Sequence, residues 1–182
     1  MTNFPPHAQD RSLDAIRQML GEDGGSSLYG LQILRRIVAI NGAYEALLAD
    51  ELEDVGLTPH RWRVLLRIWI EEQTGGAGIH PTQLSRAQQL SKNTISEHLR
   101  ALEELGLVER EVDTEDRRQF KIHLTDVGRT LVQRTAPGHI RYLNTLLDGL
   151  DKSEVLAIEE SLCKLHAGLL TKLQRSLCAV QS

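Results

Sequence analysis

The sequence predicts a mainly helical protein that carries one small β-ribbon. Three observations predict it. Leucine, isoleucine and valine recur at helical spacing along much of the 182 residues, while aromatics make up 4%, which suits packed helices rather than a sandwich. Between Pro81 and Gly128 that period gives way once, to the alternation Phe120-Lys121-Ile122-His123-Leu124 of a half-buried strand. Two short helical segments joined by a turn precede this strand. Helix, turn, helix, then a two-stranded ribbon with a charged tip is the layout of a winged helix-turn-helix.

Each element has a local cause. Arg11 to Leu20 reads as a short helix with Leu13, Ile16 and Leu20 on one side, and Gly21 to Ser27 as a glycine- and serine-rich joint. From Leu28 to Val55 the positions Leu31, Leu34, Ile37, Val38, Tyr44, Leu47, Leu48 and Leu52 keep a helical period, weakened locally at Gly42. Thr58-Pro59 opens a helix to about Glu72, and 73–78 is a flexible loop. Pro81 opens the first helix of the motif, because a first-turn residue needs no amide hydrogen. Leu84 and Ala87 give that helix an apolar side, with Leu90 at the following turn. Ser91 caps the second helix, since its hydroxyl accepts from an orphan backbone N–H. Ile95, Leu99, Leu102 and then Leu105 or Gly106 make one buried stripe. Gly106 ends the helix, Leu107-Val108 starts a strand, and Asp113 to Arg118 is a polar tip. Thr125 caps a long helix to about Asp148, which Pro137-Gly138 is expected to kink or interrupt. Asp151 and Glu154 form a capping-box-like pair that opens a last leucine-rich helix through Leu177.

The second helix of the motif points to a partner. Opposite its apolar stripe it carries Lys92, Asn93, Ser96, Glu97 and Arg100, the short or flexible hydrogen-bonding groups that base-edge and phosphate contacts require. Arg117 and Arg118 at the ribbon tip suit a minor groove, whose potential attracts guanidinium. Double-stranded DNA is therefore the expected partner, contacted in the major groove or at its phosphates by Lys92, Asn93, Thr94, Ser96, His98 and Arg100, and by the ribbon tip. Charge adds a condition. The chain carries a formal net charge of −4, and seven basic against eight acidic residues between 86 and 121 leave no basic block. DNA binding thus requires positive groups sorted to one face. The negative balance suits the rival reading, a winged-helix module that binds protein without specific DNA binding. No convergent nucleophile, base or metal cluster is visible, so neither an enzyme nor a resident cofactor is expected. Cys163 and His166, three apart on one helix, supply two ligands, short of a closed metal site.

At this point the sequence resembles the MarR family of bacterial transcriptional regulators. The residues that carry the resemblance are Leu102-Glu103-Glu104-Leu105-Gly106-Leu107-Val108-Glu109-Arg110, the wing Asp116-Arg117-Arg118, Leu124-Thr125-Asp126-Val127-Gly128, and the helix entry Leu57-Thr58-Pro59-His60-Arg61-Trp62. The resemblance covers roughly residues 30–175. It implies a homodimer that binds palindromic operators and releases them on a signal. It makes the helix from Ser91 the recognition helix and Arg117 or Arg118 the minor-groove arginine, oriented by an ion pair with Asp116. It also implies a small anionic aromatic effector. Trp62 and Trp69, seven apart on one helical face, read either as core or as a wall of that pocket, with Tyr44, His60, Trp62 and Arg63 as lining candidates. Arg63 would pair the effector's carboxylate or phenolate.

The long flanking helices have leucine faces too wide for the winged unit to cover. The economical expectation is a symmetric dimer. The chain thus divides into an N-terminal extension with a short helix (1–27), a winged helix-turn-helix region (57–124), and a helical dimerisation region (28–56 and 125–182). No run of eighteen apolar residues occurs, so no membrane span is expected. Met1 to Asp10 lacks the basic-then-apolar layout of a secretion signal, which makes the cytoplasm the expected location. Cys163 and Cys178 fall on one helix roughly 22 Å apart along its axis, too far to bridge within the chain. Buried, reduced thiols are the default expectation for both.

Overall fold

The computed structural model describes Ile16, Gln18, Met19, residues 28–114 and residues 116–180, with side chains through Arg175. The chain divides into two compact units, Met1–Pro59 and His60–Ser182. Ile16, Gln18 and Met19 are helical; the rest of the short helix expected over 11–20, and the joint at 21–27, lie outside the described residues.

The first unit is dominated by α1 (Tyr29–Leu52), which runs into a 3-10 turn (Glu53–Val55). Gly42 does not interrupt α1. Leu48 and Leu52 are buried, while Leu31, Ile33, Leu34, Val38, Ile40 and Leu47 are exposed.

The second unit contains α2 (Pro59–Gln73, all but Pro59), α3 (Pro81–Gln88), α4 (Lys92–Glu104), β1 (Val108–Val112), β2 (Phe120–Leu124), α5 (Asp126–Thr145) and α6 (Lys152–Val180). β1 and β2 form an antiparallel ribbon in which Val108 faces Leu124 and Val112 faces Phe120. Ile79 adds a one-residue bridge on the other side of β2: its N–H donates to the Ile122 carbonyl at 3.1 Å, and its carbonyl accepts from the Ile122 N–H at 2.9 Å. Ile79 falls in a stretch with no strand-like alternation, so the sequence gives no sign of this third strand segment. Val64, Leu65, Ile68, Ile79, Leu84, Ile95, Leu99, Leu102 and Ile122 are fully buried. Each such aliphatic side chain contributes roughly 1.5–3 kcal/mol on leaving water.

The stripe on α4 ends sooner than its period suggests. Ile95, Leu99 and Leu102 are buried, but Leu105 is 47% exposed. Leu105 is the C-cap and Gly106 follows with φ 68°, in the left-handed region. Gly106 N–H donates to the Glu103 carbonyl and Leu107 N–H to the Leu102 carbonyl, both at 2.9 Å. This double closure turns the chain outward before Leu105 can join the stripe, and buried Leu107 packs in its place. Ala87, expected on the apolar side of α3, is exposed.

The Leu124-Thr125-Asp126-Val127-Gly128 sequence is explained by the next junction. Thr125 Oγ1 accepts from Gly128 N–H at 3.1 Å, capping α5, and donates to the Gly106 carbonyl at 2.6 Å. Gly128 lies so close to the Leu107 backbone that an added Cβ would stand 2.0 Å from the Leu107 carbonyl oxygen. Only glycine allows α5 to start against the β1 entry. α5 continues through Pro137 without a break. Proline frees only the carbonyl four residues back, that of Gln133, and this turn is exposed to water. The helix ends at Thr145, slightly short of the expected Asp148. The Asp151–Glu154 box forms in both directions: Asp151 N–H donates to Glu154 Oε2 at 2.8 Å, and Glu154 N–H to Asp151 Oδ1 at 3.0 Å. No helix among the described residues is long and apolar enough to cross a membrane.

Candidate nucleic-acid interface

α4 starts where Ser91 Oγ accepts from Thr94 N–H at 3.1 Å, as its sequence requires. Its buried stripe leaves Lys92, Asn93, Ser96, Glu97 and Arg100 exposed on the other side. Two residues expected on the contact face are placed differently. Thr94 is half-buried, and its hydroxyl bonds the Ser91 hydroxyl at 2.8 Å, so it belongs to the cap. His98 lies beside the stripe, its ring edge-to-face with His60 at 5.9 Å between centroids. Its Nε2 is buried without a hydrogen-bond partner among the described residues. Burial holds the His98 imidazole below its ordinary range; nearby positive charge from His60 and Arg61 adds to this, and Glu97 opposes it. A half-buried ring against α2 is a packing group. Arg100 is exposed and held by Glu104, Nε to Oε1 at 3.1 Å; the Lys92 carbonyl accepts from the Ser96 hydroxyl at 2.9 Å, while the Lys92 and Asn93 side chains make no hydrogen bond or ion pair among the described residues.

The wing tip departs from the sequence expectation in two ways. Asp116 does not orient an arginine through its guanidinium. Its Oδ1 accepts from the Arg118 backbone N–H at 3.0 Å and its Oδ2 from the Gln119 amide at 2.8 Å. The Gln119 bond first, then the Arg118 backbone bond, hold this carboxyl below its ordinary range. Asp116 therefore shapes the turn on which the arginines sit. Both Arg117 and Arg118 are exposed, with no ion pair to a described residue. Asp113, expected in the exposed tip, is 5% exposed. Its Oδ2 lies 3.1 Å from His80 Nε2 and 3.5 Å from Lys121 Nζ, and this pairing is what allows a carboxylate to be buried there.

Three polar clamps, not foreseen from the sequence, fix the wing to the helices. His80, in front of α3, meets Asp113 and also lies with Nδ1 3.2 Å from the Phe120 carbonyl. Arg110 on β1 grips Glu103 on α4 in a two-toothed pair, Nε to Oε1 at 2.6 Å and Nη2 to Oε2 at 2.8 Å. The same guanidinium lies 4.7 Å over the Phe120 ring. Glu72 at the end of α2 accepts from the Leu124 N–H at 2.9 Å and pairs with Arg129 of α5. Their partners lie 7 to 57 residues apart, and charge alone at a position does not name a partner at that range. Together they tie the ribbon to α2 and α4.

The effector candidates divide between the units. Tyr44 is half-buried on α1 in the first unit. In the second, Trp62 is 1% exposed, while His60 is exposed and takes Arg63 Nη2 on its Nδ1 at 2.7 Å. An open depression of about 370 Å³ lies elsewhere, lined by Leu107, Asp126, Val127, Thr130, Leu131 and Arg134. Cys163, expected to be buried, is exposed; its Sγ donates to Glu159 Oε1 at 3.4 Å, which raises the thiol's pKa and disfavours the thiolate. The side chain of Cys178 lies outside the described residues.

Residues 55–119 match the MarR family model. This segment is a MarR-family winged helix. Over 99 residues, 54% of this chain and 58% of the relative, the sequence is 26% identical to the HTH-type transcriptional repressor YetL of Bacillus subtilis (strain 168). It is 30% identical over 84 residues, 46% of this chain and 58% of the relative, to the uncharacterized HTH-type transcriptional regulator YsmB of the same organism. The chain thus spans less than two thirds of the length of these curated relatives. Among solved structures, the S. aureus MepR-DNA complex matches with a TM-score of 0.66 and 25% identity, over 73% of this chain and 93% of MepR. The MarR-family match and the mainly helical fold with a two-stranded ribbon both agree with the sequence expectation.

Proposed function

We propose that the protein is a DNA-binding transcriptional regulator, not an enzyme, which acts in the cytoplasm as a homodimeric repressor on a palindromic operator and releases it on binding a small anionic aromatic effector. The observation that carries this reading is the pairing of an exposed hydrogen-bonding face on α4 (Lys92, Asn93, Ser96, Arg100) with two exposed arginines at the wing tip (Arg117, Arg118) that make no ion pair with a described residue. An exposed helix face enters a major groove, and a guanidinium on a narrow turn enters the adjacent minor groove. Thr94 serves the helix cap, His98 the packing behind it, and Asp116 the turn beneath the arginines.

The exposed aliphatic faces of α1 and α6 support the dimer, since apolar area of that extent is normally covered. A dimer presents two recognition helices, which is why the operator is expected to be a palindrome. For the effector, the Arg63–His60 pair on α2 is the recognition element, with buried Trp62 on the same helix. The repressor YetL and the DNA complex of MepR, both similar to this chain, support the same reading.

One observation favours the rival reading, a winged helix that docks on protein. The α4 face is not net basic, because Glu97 is unpaired and Arg100 is tied to Glu104. Sequencing of genomic DNA fragments retained by the protein at two salt concentrations separates the readings. A retained palindrome whose binding weakens steeply with salt supports the regulator. A folded dimer that retains no DNA at low salt establishes the protein-docking module instead.

A further inference from the structure

Glu97 is an unusual residue for the centre of a DNA-reading face. It is exposed on α4, one turn beyond Asn93 and between Ser96 and Arg100 in the direction of the helix. Its carboxylate makes no hydrogen bond or ion pair among the described residues. Glu104 neutralises Arg100, but no described residue neutralises Glu97. On a surface meant to meet phosphates, an unpaired anion lowers affinity for every duplex within a Debye length of about 8 Å. Such a group persists on a binding face only where one target repays it, and it then acts as a filter against the rest.

We propose that Glu97 is a specificity-determining residue that reads cytosine in the major groove. This inference rests on the DNA-binding reading above. A carboxylate is acceptor-only, so it needs a base edge that donates. Guanine offers two acceptors there and thymine an acceptor and a methyl; both repel the carboxylate. Adenine offers its amino donor beside the N7 acceptor, which also faces the anion. Cytosine alone offers an amino group as its only major-groove function. The residue sits in the second turn of α4, within the N-terminal part of the helix that approaches base edges in helix-turn-helix complexes. Asn93, free on the preceding turn, is placed to take the neighbouring base.

The test is selection from a pool of duplex DNA with a randomised central segment, run in parallel for the wild type, Glu97→Gln and Glu97→Ala. Affinities for the selected and a scrambled duplex are then measured. The wild type is expected to require cytosine at one position of each half-site, with roughly tenfold loss for any other base there. Glu97→Ala should lose discrimination at that position alone and bind the scrambled duplex more tightly. Glu97→Gln should shift the preference there toward adenine, since an amide can both donate and accept. Identical motifs for all three proteins overturn the assignment while leaving the DNA-binding reading intact. A wild type that selects no motif and retains no DNA at low salt removes that reading and this inference with it.

Discussion

Between Leu84 and Leu102 every large aliphatic side chain except half-buried Leu90 is buried, whereas between Lys152 and Arg175 none is. Both segments are leucine-rich helices with an amphipathic period, so local pattern does not separate them. Packing does. α4 rests on α3 and β1 within its own unit and is locked there by the Arg110–Glu103 pair. α6 presents Leu156, Ile158, Leu162, Leu169, Leu170 and Leu173 to solvent. The comparison teaches that an apolar stripe states that something must cover a helix, and leaves open whether the cover is the same chain. The winged part closes on itself; the last helix leaves its leucine face exposed among the described residues.

The sharpest way to break that comparison is to place a charge on each side of it. Leu169→Asp should weaken self-association by about 3–5 kcal/mol, the scale of an uncompensated buried charge. Sedimentation across a concentration series reads this directly. An unchanged mass would show that α6 is not the covered face. Leu99→Ala, inside the closed part, should instead cost about 2–5 kcal/mol of folding stability by urea unfolding. A loss under 1 kcal/mol would mean that the cavity collapses and that the winged core is looser than its burial implies.

Smaller effects sharpen the division of labour within the winged part. Arg118→Ala should weaken operator binding by about 1–3 kcal/mol if its guanidinium meets DNA; unchanged affinity removes it from the contact surface. Arg110→Ala removes a partly exposed ion pair and its cover over Phe120, and should cost about 1 kcal/mol of operator affinity through a less fixed wing. Because Arg110 is assigned a positioning role, the salt dependence of binding should not change. A shallower salt slope in this variant would place Arg110 on the phosphates instead.

The parts legible in the sequence are those with local causes. Ser91 and Thr125 cap helices by reaching three residues ahead, and Gly106 takes the left-handed turn that ends α4. Element order, the ribbon and the start and end of α4 follow from these. What escaped depends on distant partners. Asp113 is a charged residue near a hairpin tip, which sequence reads as exposed, yet His80 and Lys121 bury it. His98 is polar and lies beside the stripe, so polarity alone assigned it to the groove, while the nearby His60 ring shows that it packs behind the face. Asp116 is the local exception: a carboxylate two residues before an N–H folds back on that N–H more readily than it meets a guanidinium. Ile79 joins the ribbon through a single residue, too short for any period to register.

His98 offers the finest distinction between the buried back and the exposed front of the recognition helix. Its folded pKa is depressed, chiefly because burial disfavours the imidazolium, with His60 and Arg61 adding to this and Glu97 opposing. The unfolded chain's imidazole takes up a proton near pH 6.5, roughly its unperturbed value, while the folded ring resists. The unfolded state therefore binds more protons in this range, and stability rises with pH. The contribution of His98 is complete above about pH 6.5 and is lost as the pH falls through the folded pKa. Urea midpoints should consequently fall from about pH 7.5 to about pH 5.5, and His98→Leu should flatten part of that fall. The informative quantity is the difference between wild type and variant, since other groups titrate in both. Parallel curves would show that the ring accepts its proton without penalty, and would return His98 from the packing behind the helix to the surface that meets DNA.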